Sequence, residues 1–148
     1  MIINNIKATG ILSVVLKDSD GKTKEERTIN NLVVTTGLGY IASRMKDATA
    51  TAMGYTAIGT GTTAAAAGDT GLVTELDRNA VTSTTATGSA IAYVASWGAG
   101  DGTGAITEAG IFNASSAGTM LARTVFSVVN KDVNDTLSIT WTITLSAS

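Results

Sequence analysis

The sequence predicts an all-β protein, an antiparallel β-sandwich, and three observations carry that prediction. In the closing stretch "DTLSITWTITL", Leu137, Ile139, Trp141, Ile143 and Leu145 alternate with Thr136, Ser138, Thr140, Thr142 and Thr144. A period of two with one apolar side is the pattern of a half-buried strand. Roughly one residue in six is Thr, a β-branched side chain that suits a pleated surface. Apolar segments recur at fairly regular spacing, and the turns between them are built from Gly, Asn and Asp, since the chain has no Pro.

The elements follow in order. "IKATGILSVVL" (Ile6 to Leu16) reads as a strand, with Gly10 marking a bulge or bend. "DSDG" (Asp18 to Gly21) is a turn. It lacks the third acidic position and closing Glu of a calcium loop. "KTKEERTINNLVV" returns as the partner strand, so a long β-hairpin opens the fold. "TTGLGYIASRMKDA" predicts one short helix near residues 36–46, with Thr36 as N-cap and Arg44 and Lys46 at the C-terminal end of the dipole. Leu38, Ile41, Ala42 and Met45 form its apolar stripe, so Leu38, Ile41 and Met45 join Leu137, Ile139, Trp141, Ile143 and Leu145 as predicted core. Tyr55 to Ile58 reads as a short strand and Gly59 to Thr70 as an irregular loop. Strands then follow at Thr87–Trp97, Ala105–Phe112, Thr119–Val129 and the C-terminal segment, giving about seven in all. Jelly-roll and immunoglobulin-like strand orders both satisfy this pattern. The expected organisation is a single domain, residues 1–148, with 1–30 as an extended hairpin arm.

Composition narrows the chemistry. With no Cys and no His, the chain has no thiol nucleophile, no imidazole base and no Cys- or His-ligated metal. A net charge of −2 and a pI near 4.9 give no electrostatic reason to expect nucleic acid. No apolar run is long enough to cross a bilayer, and "MIINNIKATG" has no secretory pattern. Seven of the ten basic residues lie at or before Lys46, and the remainder of the chain is acidic.

Individual motifs read as structure. "IGTGTTA" matches a dinucleotide fingerprint in letters, but no helix of sufficient length follows to hold a pyrophosphate. "GAGDGTG" is a single glycine-rich loop, where calcium-binding repeats need many stacked copies. Glu75, Asp77 and Glu108 are the candidates for paired-carboxylate catalysis, and nothing in their spacing brings two together. Glu108 lies within an apolar strand and needs a cation, which Arg123 on the next strand can supply; Glu75 and Arg78 can pair across one turn. Trp141 lies on the apolar side of its strand and reads as core, while Trp97 beside Gly98 leaves a stacking role open. No catalytic, cofactor-binding or metal-binding residue is assigned, and the chain is expected not to be an enzyme.

Four segments together, "NNLVVTTGLGYIASRM", "AIGTGTTAAAAGDTGLVTELDR", "GAITEAGIFNASSAGTMLARTVFSVVNK" and "DTLSITWTITL", resemble a family of small tailed-phage virion proteins. The resemblance implies a virion structural protein, made in the host cytoplasm without a signal peptide. A capsid cement or decoration protein fits a domain with no shaft repeat or heptads, and implies the major capsid protein and copies of the chain itself as partners. The alternative implied is a tail-fibre or tail attachment module, with other tail proteins as partners. The hairpin arm, basic and bendable at Gly10, is then the element expected to reach a neighbour.

Overall fold

The structure, a computed structural model, describes residues 5–46 and 50–147. Strands make up 57% of it, and every strand pairing is antiparallel. The elements are β1 (Ile6–Lys17), β2 (Thr23–Val33), α1 (Thr35–Arg44), β3 (Tyr55–Gly59), β4 (Glu75–Ala80), β5 (Ser83–Thr87), β6 (Ala90–Trp97), β7 (Gly104–Phe112), β8 (Met120–Lys131) and β9 (Thr136–Ala147). They form one nine-stranded sheet in the order β4-β3-β7-β8-β2-β1-β9-β6-β5. β4 and β5 stand at opposite ends of this order, yet only Val81 and Thr82 separate them in the chain. The sheet must therefore curl until its ends meet. Val81 N donates to Gly54 O at 2.9 Å and Thr82 N donates to Val94 O at 2.6 Å, so the connection holds to both halves.

The apolar sides of the strands enclose a main core, with a smaller cluster of Val34, Ala57, Phe112 and Met120 apart from it. Leu12, Val14 and Leu16 of β1 meet Leu137, Ile139, Trp141 and Ile143 of β9, with Ile58, Trp97, Ile106 and Ile111 from the other strands. Burying a side chain of this size contributes about 1.5–3 kcal/mol, so β9 is a principal source of stability. Leu145 is only partly buried, at the margin of this cluster.

Several expectations are corrected. β4 and β5 occupy a region where the periodicity predicts no strand, which makes nine strands among the described residues in place of about seven. The strand expected from Thr87 is the second arm of a hairpin turning at Gly88-Ser89. Gly10 produces no break in β1; the side chain of Asn31 packs directly over it, in the space a Cβ would take. Thr36 is not the N-cap, because α1 begins at Thr35 with Val34 as cap residue, and Thr36 Oγ1 donates to Met120 O at 3.2 Å. The helix also presents a different face. Leu38 and Met45 are 49% and 83% exposed, whereas Gly37, Tyr40 and Ile41 turn inward. Gly37 sets this roll: a Cβ there would lie 2.2 Å from Leu121 O, so only glycine lets the helix seat on β8 this closely. Asp47 and Ala48, which close the quoted stretch "TTGLGYIASRMKDA", lie outside the described residues.

The hairpin is not a projecting arm. β1 pairs with β9 at every position from Ile6–Ala147 to Lys17–Thr136 and lies in the middle of the sheet. β2 pairs with β8 only at Leu32 and Val33, then diverges from it. β8 bulges where they part, three residues of β7 (Ile106 to Glu108) standing against five of β8 (Val125 to Val129). Arg27 bridges the opening by donating to the carbonyls of Ser127 and Val128, and Lys24 Nζ reaches Asp135 at 2.7 Å. Lys24 and Arg27, two of the basic residues of the expected arm, thus tie β2 to its own sheet.

Candidate functional site

The outer surface of the sheet has two regions of opposite character. Over β3, β7 and β8 the surface is roofed by the loop from Thr60 to Thr74. The bulge between Ile106 and Glu108 reverses the alternation of β7, so Ile106, Ala109 and Ile111 face the core while Glu108 turns outward beneath the loop. Glu108 is fully buried. Its Oε1 accepts from Val73 N at 2.8 Å and its Oε2 from Thr74 N at 3.1 Å. Arg123 Nη2 stands 3.4 Å from Glu108 Oε1 and donates to Thr63 O at 2.9 Å, while Nη1 meets Asp69 Oδ2 at 2.8 Å. Asp69 Oδ2 also accepts from Ala66 N at 2.9 Å; that backbone bond and then the Arg123 guanidinium hold its carboxyl below the usual range.

The glycines of "IGTGTTA" serve this cluster. A Cβ on Gly61 would fall 1.8 Å from Glu108 Oε2, so the glycine admits a carboxylate of the chain itself rather than a phosphate. Glu75 and Arg78 lie on β4, not across a turn. A register shift between Ile58 and Gly59 turns Glu75 to the same side as Arg78, giving a 2.7 Å ion pair. Arg78 Nη1 also donates to Ala114 O and Ala117 O, and its guanidinium stacks 3.8 Å from the Phe112 ring. Both arginines act as clamps on loops: Arg123 on the roof, Arg78 on the β7–β8 turn.

Over β5, β6, β9 and β1 the surface is bare. Thr85, Ala92, Thr142, Ile11 and Asn30 stand opposite one another across five adjacent strands, and Ser83, Val94, Thr140, Ser13 and Thr28 form the next row. Neither row contains a charge, and charged residues begin only at the margin, at Lys7 and Glu26. Trp97 and Trp141 are both fully buried, so no tryptophan lies on this face to stack on a sugar.

A third polar group closes the seam where the sheet ends meet. Asn79 Nδ2 donates to Ser96 O at 2.9 Å and to Asp101 Oδ2 at 2.8 Å. Asp77 faces Asp101, and burial followed by that second carboxyl pushes its pKa up. Lys131, 1% exposed, donates from Nζ to Gly98 O at 2.8 Å, and burial pushes its pKa down. Spacing did not reveal this knot, because its members come from β4, the glycine-rich loop and the end of β8. Glu75, Asp77 and Glu108, the carboxylates considered for paired catalysis, each find a different partner. No group of three or more Asp or Glu among the described residues is arranged to hold a metal ion.

Two hollows remain. One of about 440 Å³ lies beside Arg123 between the end of β2 and the roof loop. The other, of about 660 Å³, lies between α1 and the inner side of β5, β6 and β9, with Ile91, Tyr93, Ile143 and Leu145 in its apolar wall. Compared with known proteins, the chain matches no family model, no curated protein and no solved structure.

Proposed function

We propose that the chain is a structural protein of a tailed-phage particle, a cement or decoration protein that lies on the capsid and bridges its subunits. The observation that carries this reading is the bare face. Two rows of uncharged side chains, mostly Thr, Ser and aliphatic, run across five strands and offer no acid or base to position a reacting group. A flat neutral surface meets another flat surface with little desolvation of charge, and a modest contact repeated over a shell sums to a large stabilisation. The phage-like segments support the same reading, since three of the four lie in β7–β8, β9 and the roof loop with its neighbours, the parts that build the two outer surfaces. We read the curled sheet as a sandwich-like closure, with β5-β6-β9-β1-β2 forming the layer that presents the bare face.

Quantifying the chain in purified virions tests the reading. A decoration protein is present on the order of hundreds of copies per particle, a tail attachment module at a few to tens. In the same particles Thr142→Lys, which places a charge in the centre of the bare face, is expected to abolish incorporation. Normal incorporation of that variant, or absence of the chain from virions, rejects the proposal.

A further inference from the structure

We propose that two copies of this chain associate edge to edge through β5, antiparallel about a twofold axis at Thr85. The inference goes beyond the capsid reading and rests on a comparison of three strand edges. An unpaired edge is a template for another strand, and proteins guard such edges with charge, proline, bulges or cover. The open run of β2 is guarded by Lys24, Glu26 and the Arg27 bridge to β8. β4 carries Glu75, Asp77 and Arg78, and Asn79 ties it to β6. β5, Ser83-Thr84-Thr85-Ala86-Thr87, is exposed at all five positions and has no charged residue and no bulge. Among the described residues, none of the backbone hydrogen bonds outside the strand ladders involves Ser83 to Thr87.

A second copy is the occupant that this edge suits. Identical neutral edges meet without like-charge repulsion, and antiparallel pairing about Thr85 sets Thr85 against Thr85, a favourable cross-strand pair. Thr84 then faces Ala86 of the other copy. Both residues wall the apolar hollow, whose far rim carries Met45, 83% exposed. The pairing extends the β5 wall of that hollow and continues the uncharged face from one copy into the next. Five residues of strand place the contact at the small end of specific interfaces, so the association is weak and concentration-dependent.

Sedimentation of the full chain over a concentration series provides the test, with two variants. The wild-type chain is expected to pass from monomer to dimer. Thr85→Lys sets two like charges together on the axis and is expected to weaken the dimer by about tenfold or more with an unchanged far-UV spectrum. Thr85→Cys, in a chain with no other Cys, is expected to give a disulfide-linked dimer under mild oxidation. A chain that stays monomeric, or an oligomer that ignores Thr85→Lys and yields no cross-link, overturns the proposal. Particle binding by a strictly monomeric chain overturns it while leaving the decoration reading intact.

Discussion

The roofed and bare regions belong to one sheet, and their difference shows how an outward side chain decides what covers a strand. On β7 and β8 the outward positions hold Glu108, Phe112 and Arg123, groups that water alone does not satisfy in place, and the chain lays a loop of fifteen residues over them (Thr60–Thr74). On β9 the outward positions are Thr and Ser, whose methyls and hydroxyls are content half exposed. One surface is closed by the protein's own backbone; the other is left for something else to meet.

The comparison breaks most readily at Arg123. Arg123→Ala leaves Glu108 without its cation and releases Asp69 and Thr63 together, and is expected to cost about 3–5 kcal/mol in urea unfolding. Adding Glu108→Gln to that variant removes the unpaired buried charge and is expected to recover part of the loss, while Asp69 and Thr63 stay released. Gly61→Ala strikes the same roof from the loop side. The added Cβ displaces Glu108 Oε2, with an expected cost of about 1–3 kcal/mol by the same measurement.

Acid sharpens the contrast between roof and seam. Asp69 has its pKa lowered, so the stability it contributes is present above 3.8 and is lost as pH falls through its folded value. Asp77 has its pKa raised, so its stability is present below 3.8 and is lost as pH rises through its folded value. Asp77→Asn is therefore expected to be more stable than the parent near neutral pH, the gain shrinking to nothing below 3.8 in thermal melts across that range. The smallest effect belongs to the bare face. Thr142→Val is expected to move stability by no more than about 0.5 kcal/mol in urea unfolding.

The residues that could be read from sequence are those whose partners lie nearby or whose two faces differ sharply. β9 was legible because large apolar and small hydroxylated side chains alternate without interruption. β4 and β5 were not. A bulge at Leu76 breaks the alternation of "ELDRNA", and "STTAT" has no buried side to leave a pattern. The apolar pattern places the helix in the chain but not its inward face, because a glycine that admits a neighbouring carbonyl leaves no hydrophobic signal. Glu108 and Arg123 announced a need for partners, whereas Asp69, fifty-four residues from Arg123, and the meeting of Asp77 with Asp101 depend on how the sheet curls.

The position of β9 has a consequence for how the molecule comes together. It follows every other described strand in the sequence, yet it sits between β1, the earliest of them, and β6. Until β9 has been made, β1 and β6 each keep one bare edge, and closure requires contacts between widely separated parts of the sequence. Slow folding follows, and a chain that loses β9 is converted from a curled, paired sheet into two sticky part-sheets ready to stack on their own kind.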